Sequence, residues 1–321
     1  MTEKLRWGIL GTGMIARKFA AQLPESRSGS LAAVGSRNSE SAIGFANEFG
    51  GAPRTPYEGV LSDPRVDAVY NSLPNGMHAE WSIRALEAGK HVLCEKPLAS
   101  SAAEAEKMFQ AAERTGRLLV EAFMYRSHPA VERFIEMARA GAIGDLKLLR
   151  TNFTFQRAAS MSDARYQPNM AGGSLMDVGC YCVNLARAVV GQEPIEHHAL
   201  ARLWQSGVDE YAAGTLKFPG DVFATFTCGM TVQSDLHATV AGSEGFMRIH
   251  APWFSDGTFT VVRGDQEETV TVPADRGLYA LEADAFADAV RGDAPPAITV
   301  NDSRGNMQSL DALRRAAGVK F

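Results

Sequence analysis

The chain has 321 residues, 45% of them hydrophobic and 21% charged, a balance that suits an ordinary globular protein of two domains. A net charge of -5 leaves no surplus of Lys and Arg to hold a polyanion, which argues against nucleic acid and an anionic membrane as partners. No stretch approaches the roughly 18 to 20 apolar residues of a bilayer span, and Met1 to Arg6 runs into a short apolar strand without a secretory-signal pattern, so a cytoplasmic location is expected.

In chain order, apolar runs at Leu5 to Leu10, Leu31 to Val34, Ala68 to Tyr70, His91 to Cys94 and Leu118 to Ala122 alternate with helical patterns. The helical stretches are Met14 to Gln22, Ser41 to Phe49, Met77 to Ala88 and Ala102 to Thr115. This alternation predicts a doubly wound parallel sheet covered by helices on both faces. After Tyr125 the rhythm changes to a helix near Ala130 to Ala140, a long strand Leu146 to Gln156 and a helix following Gly172-Gly173. Strands such as Val222 to Cys228, Asp235 to Ala241 and Thr258 to Val262 then succeed one another, with helices Leu278 to Val290 and Ser309 to Ala317 closing the chain. The expected fold is therefore α/β: an N-terminal Rossmann domain, 1–122, followed by an α+β domain, 123–321, with an open, mostly antiparallel sheet.

Four cysteines, Cys94, Cys180, Cys182 and Cys228, are too few and too unevenly spaced for a disulfide framework or a four-ligand zinc site, and are expected to pack as reduced thiols. His197 and His198 have no ligand partners at metal-motif spacing. No metal is expected.

Gly11-Thr12-Gly13-Met14-Ile15-Ala16 follows the first strand and opens the first helix, the context in which Gly-x-Gly-x-x-Gly/Ala cradles a dinucleotide pyrophosphate. Gly11 permits the tight turn, Gly13 clears room for phosphate, Ala16 keeps helix and strand close, and the helix N-terminus offers free N–H groups. A merely structural glycine turn is the alternative. At the end of the second strand, where an acidic residue often marks NAD, stand Ser36 and Arg37. A hydroxyl and a forked guanidinium suit a 2′-phosphate, favouring NADP over NAD, although Arg37 can also be read as a solvated loop charge. At the next strand end Ser72, Leu73, Pro74, Asn75 and His78 lie at the carboxyl edge where such sheets bind ligands, His78 being equally suited to satisfying nearby backbone.

Glu95-Lys96-Pro97 leaves the strand His91 to Cys94 at the same edge, where Lys96 can lie beside a nicotinamide and Glu95 near the cofactor, although Lys96 taken alone is more simply read as a surface charge. Further on, Ala171-Gly172-Gly173-Ser174-Leu175-Met176-Asp177-Val178-Gly179-Cys180-Tyr181 sets Asp177 and Tyr181 four residues apart on what reads as one helix face. Local capping by Asp177 and core packing by Tyr181 are the plainer reading of that helix alone. Arg165, a few residues before Gly172, reads either as a further contact to cofactor or substrate or as a plain surface charge.

The glycine turn, Glu95-Lys96-Pro97 and the Gly-Gly-Ser-Leu-Met-Asp-x-Gly-x-Tyr helix, in this order and spacing, resemble the glucose-fructose oxidoreductase, inositol dehydrogenase and rhizopine catabolism (Gfo/Idh/MocA) family along the whole chain. Tyr181, where many members carry histidine, resembles the branch of glucose-fructose oxidoreductase, dimeric dihydrodiol dehydrogenase and NADP-dependent D-xylose dehydrogenase. Ala171 stands where the motif usually opens with glycine, and the long N-terminal arm of glucose-fructose oxidoreductase has no counterpart, which fits a releasable cofactor. The resemblance implies Lys96 and Tyr181 as the catalytic pair, Asp177 as a substrate-orienting group, and a homodimer or homotetramer formed through the C-terminal sheet. It implies an NADP-dependent dehydrogenase of a sugar, polyol or cyclic diol. Alternatives are a reductase of a keto or anhydro sugar, a trans-dihydrodiol dehydrogenase and, outside enzymes, a non-catalytic NADP-binding sensor.

Overall fold

A computed structural model describes residues 4–320, which group into two compact units. The first takes the chain up to Ser127 together with Asp275–Ser303, and the second comprises His128–Ala274 and the chain from Arg304 on. Residues 275–303, although they follow the second sheet in the chain, thus make their contacts in the first unit.

The first unit holds six parallel strands: β1 (Leu5–Leu10), β2 (Gly29–Gly35), β3 (Ala52–Arg54), β4 (Ala68–Asn71), β5 (His91–Glu95) and β6 (Leu119–Ala122). Their order is β3-β2-β1-β4-β5-β6, so the strand order reverses between β1 and β4 and opens a ligand crevice at their carboxyl ends. β3 escaped the sequence reading because Ala-Pro-Arg carries almost no strand signal; its pairing to β2 at the sheet edge forms it. The helices are α1 (Met14–Gln22), α2 (Ser39–Phe49), α3 (Glu58–Leu61), α4 (His78–Glu87) and α5 (Ala102–Thr115). Asn38 and Ser101 cap α2 and α5 by accepting from the backbone N–H three residues on. Packing centres on Trp7 of β1, fully buried, with Phe19 of α1 at 5.2 Å and Phe286 at 5.1 Å.

In the second unit, α6 (Pro129–Arg139) and α7 (Cys180–Val190) cover one face of an eight-stranded sheet. Its strands are β7 (Leu146–Thr154), β8 (Glu196–Leu203), β9 (Asp209–Phe218), β10 (Val222–Gly229), β11 (His237–Gly242), β12 (Phe246–His250), β13 (Thr258–Arg263) and β14 (Gln266–Thr271). Their order is β14-β13-β12-β11-β7-β10-β9-β8, antiparallel apart from the β7–β10 pair. Alternation along β10 sends Ala224, Phe226 and Cys228 inward and leaves Phe223, Thr225 and Thr227 on the opposite face. The chain closes with α8 (Leu278–Arg291), which packs on α1, and α9 (Val300–Ala316). α9 starts nine residues before the Ser309 expected from the pattern, because its polar first half is set against buried partners; Asn306, for example, donates to the Cys180 carbonyl.

Candidate active site

β1 delivers Gly11 to the carboxyl edge with φ +100°, a conformation only glycine adopts cheaply. A Cβ there would also crowd the Ser72 hydroxyl, which leads from the neighbouring β4 and donates to the Leu10 carbonyl at 2.7 Å. Gly13 differs. Its φ is an ordinary -71° and a Cβ would meet nothing within 4 Å, so the glycine there leaves open space directly over the start of α1. No side chain caps that helix start, so its backbone N–H groups face the opening together with the neighbouring Thr12, Met14 and Ile15. Uncapped amides and the room that Gly13 leaves fit the pyrophosphate of a dinucleotide.

At the end of β2 Ser36 is buried and its hydroxyl accepts from the Asn38 N–H at 3.2 Å, while Arg37 is exposed beside the Tyr57 hydroxyl. Burial raises the Tyr57 hydroxyl, partly offset by the Arg37 charge. Tyr57 is a neighbour of Arg37 that the sequence reading missed, since an aromatic in a loop 20 residues away carries no motif.

After β4, Leu73 is buried and Pro74 and Asn75 are half-buried. His78 is wholly buried, with Nε2 at 2.7 Å from the Leu73 carbonyl and Nδ1 at 2.9 Å from the Pro97 carbonyl. Both nitrogens face carbonyl oxygens, one from the loop after β4 and one from the loop after β5, and the neutral ring donates to one of them. Burial lowers its pKa to about 4, against the two carbonyls and reinforced by Lys96. Glu95 ends β5, accepting from the Tyr70 hydroxyl, and Lys96 follows half-buried at the sheet's carboxyl edge with a cis bond to Pro97.

The second unit holds the other candidates. The helix after the double glycine begins as a π-turn, Leu175–Gly179, that runs straight into α7, so Asp177 and Tyr181 are still about one turn apart but on a widened coil. Tyr181 is 5% exposed and its ring meets Phe153 and Trp253 edge-on at 5.1 and 5.5 Å. Asp177 accepts from Arg165 Nε at 2.8 Å, and Arg165 also pairs with Asp163. The four cysteines are buried and form no disulfide among the described residues, and burial pushes the Cys182 thiol up to about 12. Among the described residues no three His, Cys, Asp or Glu side chains cluster as a metal site, and no helix is long and apolar enough to cross a membrane.

The model of an oxidoreductase family with an NAD-binding Rossmann fold matches residues 5–123, and that of the GFO/IDH/MocA C-terminal domain matches 131–248. The chain belongs to the Gfo/Idh/MocA family of oxidoreductases. A D-xylose 1-dehydrogenase (NADP(+)) from Haloferax volcanii is 34% identical over 98% of this chain and 97% of its own. The trans-1,2-dihydrobenzene-1,2-diol dehydrogenase of Mus musculus is 35% identical over 99% of this chain and 98% of its own. A 3-ketoreductase from Actinomadura kijaniata, solved in complex with NADP and TDP-benzene, is 31% identical with a TM-score of 0.90, covering 98% of both chains. Gfo/Idh/MocA membership thus accounts for both sheets and for all three motifs in register.

Proposed function

We propose that this family member is an NADP-dependent dehydrogenase of a sugar or related polyol or cyclic diol, with aldoses such as D-xylose as the leading substrate class. The observation that carries the reading is Lys96, which leaves β5 at the same sheet edge as the open Gly11 to Ala16 turn. Residues 1–122 serve as the dinucleotide-binding domain and 123–321 as the part that binds substrate and mediates assembly, although 123–127 and 275–303 of that part group with the first unit.

When bound, the nicotinamide supplies the hydride acceptor. Tyr181 takes the hydroxyl proton of the substrate, and Lys96 makes this possible by stabilising phenolate, because a free phenol near pKa 10 is a poor base at neutral pH. Lys96 also polarises the substrate oxygen. Asp177, oriented by Arg165, accepts a hydrogen bond from an adjacent substrate hydroxyl. Ser36 and Arg37 hold the 2′-phosphate, Glu95 supports the cofactor beside Lys96, and Ser72 to Asn75 line the approach to the nicotinamide.

The reverse direction uses the same groups, with Tyr181 giving the proton, and the resemblance to the 3-ketoreductase favours keto-sugar reduction as a second reading. Assembly as a homodimer or homotetramer through the open face of the eight-stranded sheet is supported by the exposed Leu148, Leu200, Tyr211 and Phe223 there. A cytoplasmic location is supported by four cysteines that form no disulfide among the described residues.

The test is NADPH absorbance with a panel of aldoses, inositols and dihydrodiols, run in reverse with keto sugars. Turnover of an aldose or diol is expected. Silence in both directions would leave the sensor reading in its place.

A further inference from the structure

The two glycines ahead of the π-turn are enclosed from opposite sides. A Cβ on Gly172 would strike the backbone carbonyl of Arg165, and one on Gly173, whose φ is +112°, would strike the carboxylate of Asp209. Asp209 opens β9 and is fully buried. Its Oδ2 accepts from the Ser174 hydroxyl at 2.7 Å and from the Leu175 backbone N–H at 2.6 Å. Oδ1 has no hydrogen-bond partner among the described residues. The other ionisable groups facing it are the Cys228 thiol of β10, which lies 3.4 Å from the Ser174 hydroxyl, and the Arg314 guanidinium of α9.

We infer that Asp209 is a positioning residue whose carboxylate holds the first turn of the helix bearing Asp177 and Tyr181. The inference rests on the catalytic reading of those two residues. A π-turn lacks the regular ladder of an α-helix, so its opening donors need an outside acceptor. An ionised acceptor binds about twice as strongly as a neutral one. Burial raises the Asp209 carboxyl to about 6, against the Ser174 and Leu175 donors and the Arg314 charge. The charged hold is therefore complete above that pH and weakens below it. Stability moves the other way: a carboxyl whose native pKa exceeds its unfolded value favours the folded state as pH falls from about 6 to 4. An acid loss of turnover from this cause is thus not unfolding.

The experiment compares kcat against pH for the wild type, Asp209→Asn and Ser174→Ala, with NADP and the aldose or diol that turns over fastest in the panel. Wild-type kcat should fall on the acid side of about pH 6 at an assay temperature at which circular dichroism shows the chain still folded. Asp209→Asn should lose about ten- to a hundredfold in kcat, lose the part of the acid limb centred near pH 6 while keeping the limb set by Tyr181, and keep its KM for NADP within about twofold. Ser174→Ala, which removes one of the two donors, should lose about threefold and retain the limb. Amide exchange across residues 175–181, measured without substrate, should be faster in Asp209→Asn, and this readout stands whether or not Tyr181 is catalytic. Wild-type kcat or unchanged exchange in Asp209→Asn overturns the inference. So does a wild-type profile flat between about pH 5 and 8 with Ser174→Ala at full rate, a result that needs no folded Asp209→Asn.

Discussion

Arg165 donates through Nε to Asp177 Oδ2 at 2.8 Å while its Nη1 pairs with Asp163, so one guanidinium ties the loop before the double glycine to the π-turn after it. Both carboxylates hold the Arg165 guanidinium above its ordinary range, Asp177 contributing most. Arg165 therefore faces a carboxylate of the site helix, whereas sequence alone offered it as a contact to cofactor or substrate.

Arg165→Ala should free the Asp177 carboxylate and lower kcat/KM for the sugar or diol about ten- to a hundredfold, with the KM for NADP within about twofold. Steady-state kinetics with each substrate varied in turn check this. A rise confined to the NADP KM would return Arg165 to the cofactor.

Tyr181→Phe and Lys96→Ala should each cut kcat about a hundredfold or more, the usual scale for a lost proton-transfer group, and leave NADPH binding by fluorescence nearly unchanged. Near-normal turnover in either variant removes the proposed pair.

Arg37→Ala should raise the KM for NADP about ten- to a hundredfold, the worth of a charge-assisted phosphate contact, and barely alter that for NAD. Equal effects on both cofactors would assign Arg37 to the loop surface beside Tyr57.

Gly13 and Gly11 should separate binding from folding. Gly13→Ala places its methyl in open space at an ordinary φ, so Tm should hold within about 2 °C while NADP affinity falls about tenfold. Gly11→Ala should destabilise by about 1–3 kcal/mol, because its φ is +100°. Calorimetry with and without NADP distinguishes the two.

His78, with its native pKa lowered to about 4, binds fewer protons than the unfolded chain between about pH 4 and 6.5. Its contribution is full above pH 6.5 and is lost as pH falls through that window, on the order of 3 kcal/mol. His78→Gln should flatten the acid fall of Tm relative to wild type. An identical slope would mean that the ring does not titrate on unfolding.

Much of the first unit was legible from sequence because its instructions are local. The β-α alternation, the glycine turn and the strand-end Lys96 each follow from a short pattern whose backbone consequences do not depend on distant residues. β3 and the first half of α9 were not legible, since a three-residue edge strand is made by its neighbour β2 and polar helix residues are held by buried partners from elsewhere. Asp177 and Tyr181 could be picked by spacing, but not the π-turn that carries Asp177.

The sequence by itself determined the dinucleotide turn, the order of elements and the family, because torsional constraints on glycine and periodic burial act over a few residues. Tertiary structure decided what surrounds the site: His78 between two loop carbonyls, Tyr57 beside Arg37, Arg165 on Asp177 and Asp209 beneath Gly173. Those contacts join residues 5 to 36 positions apart, and their chemistry appears only when burial removes water and forces each polar group to find a partner.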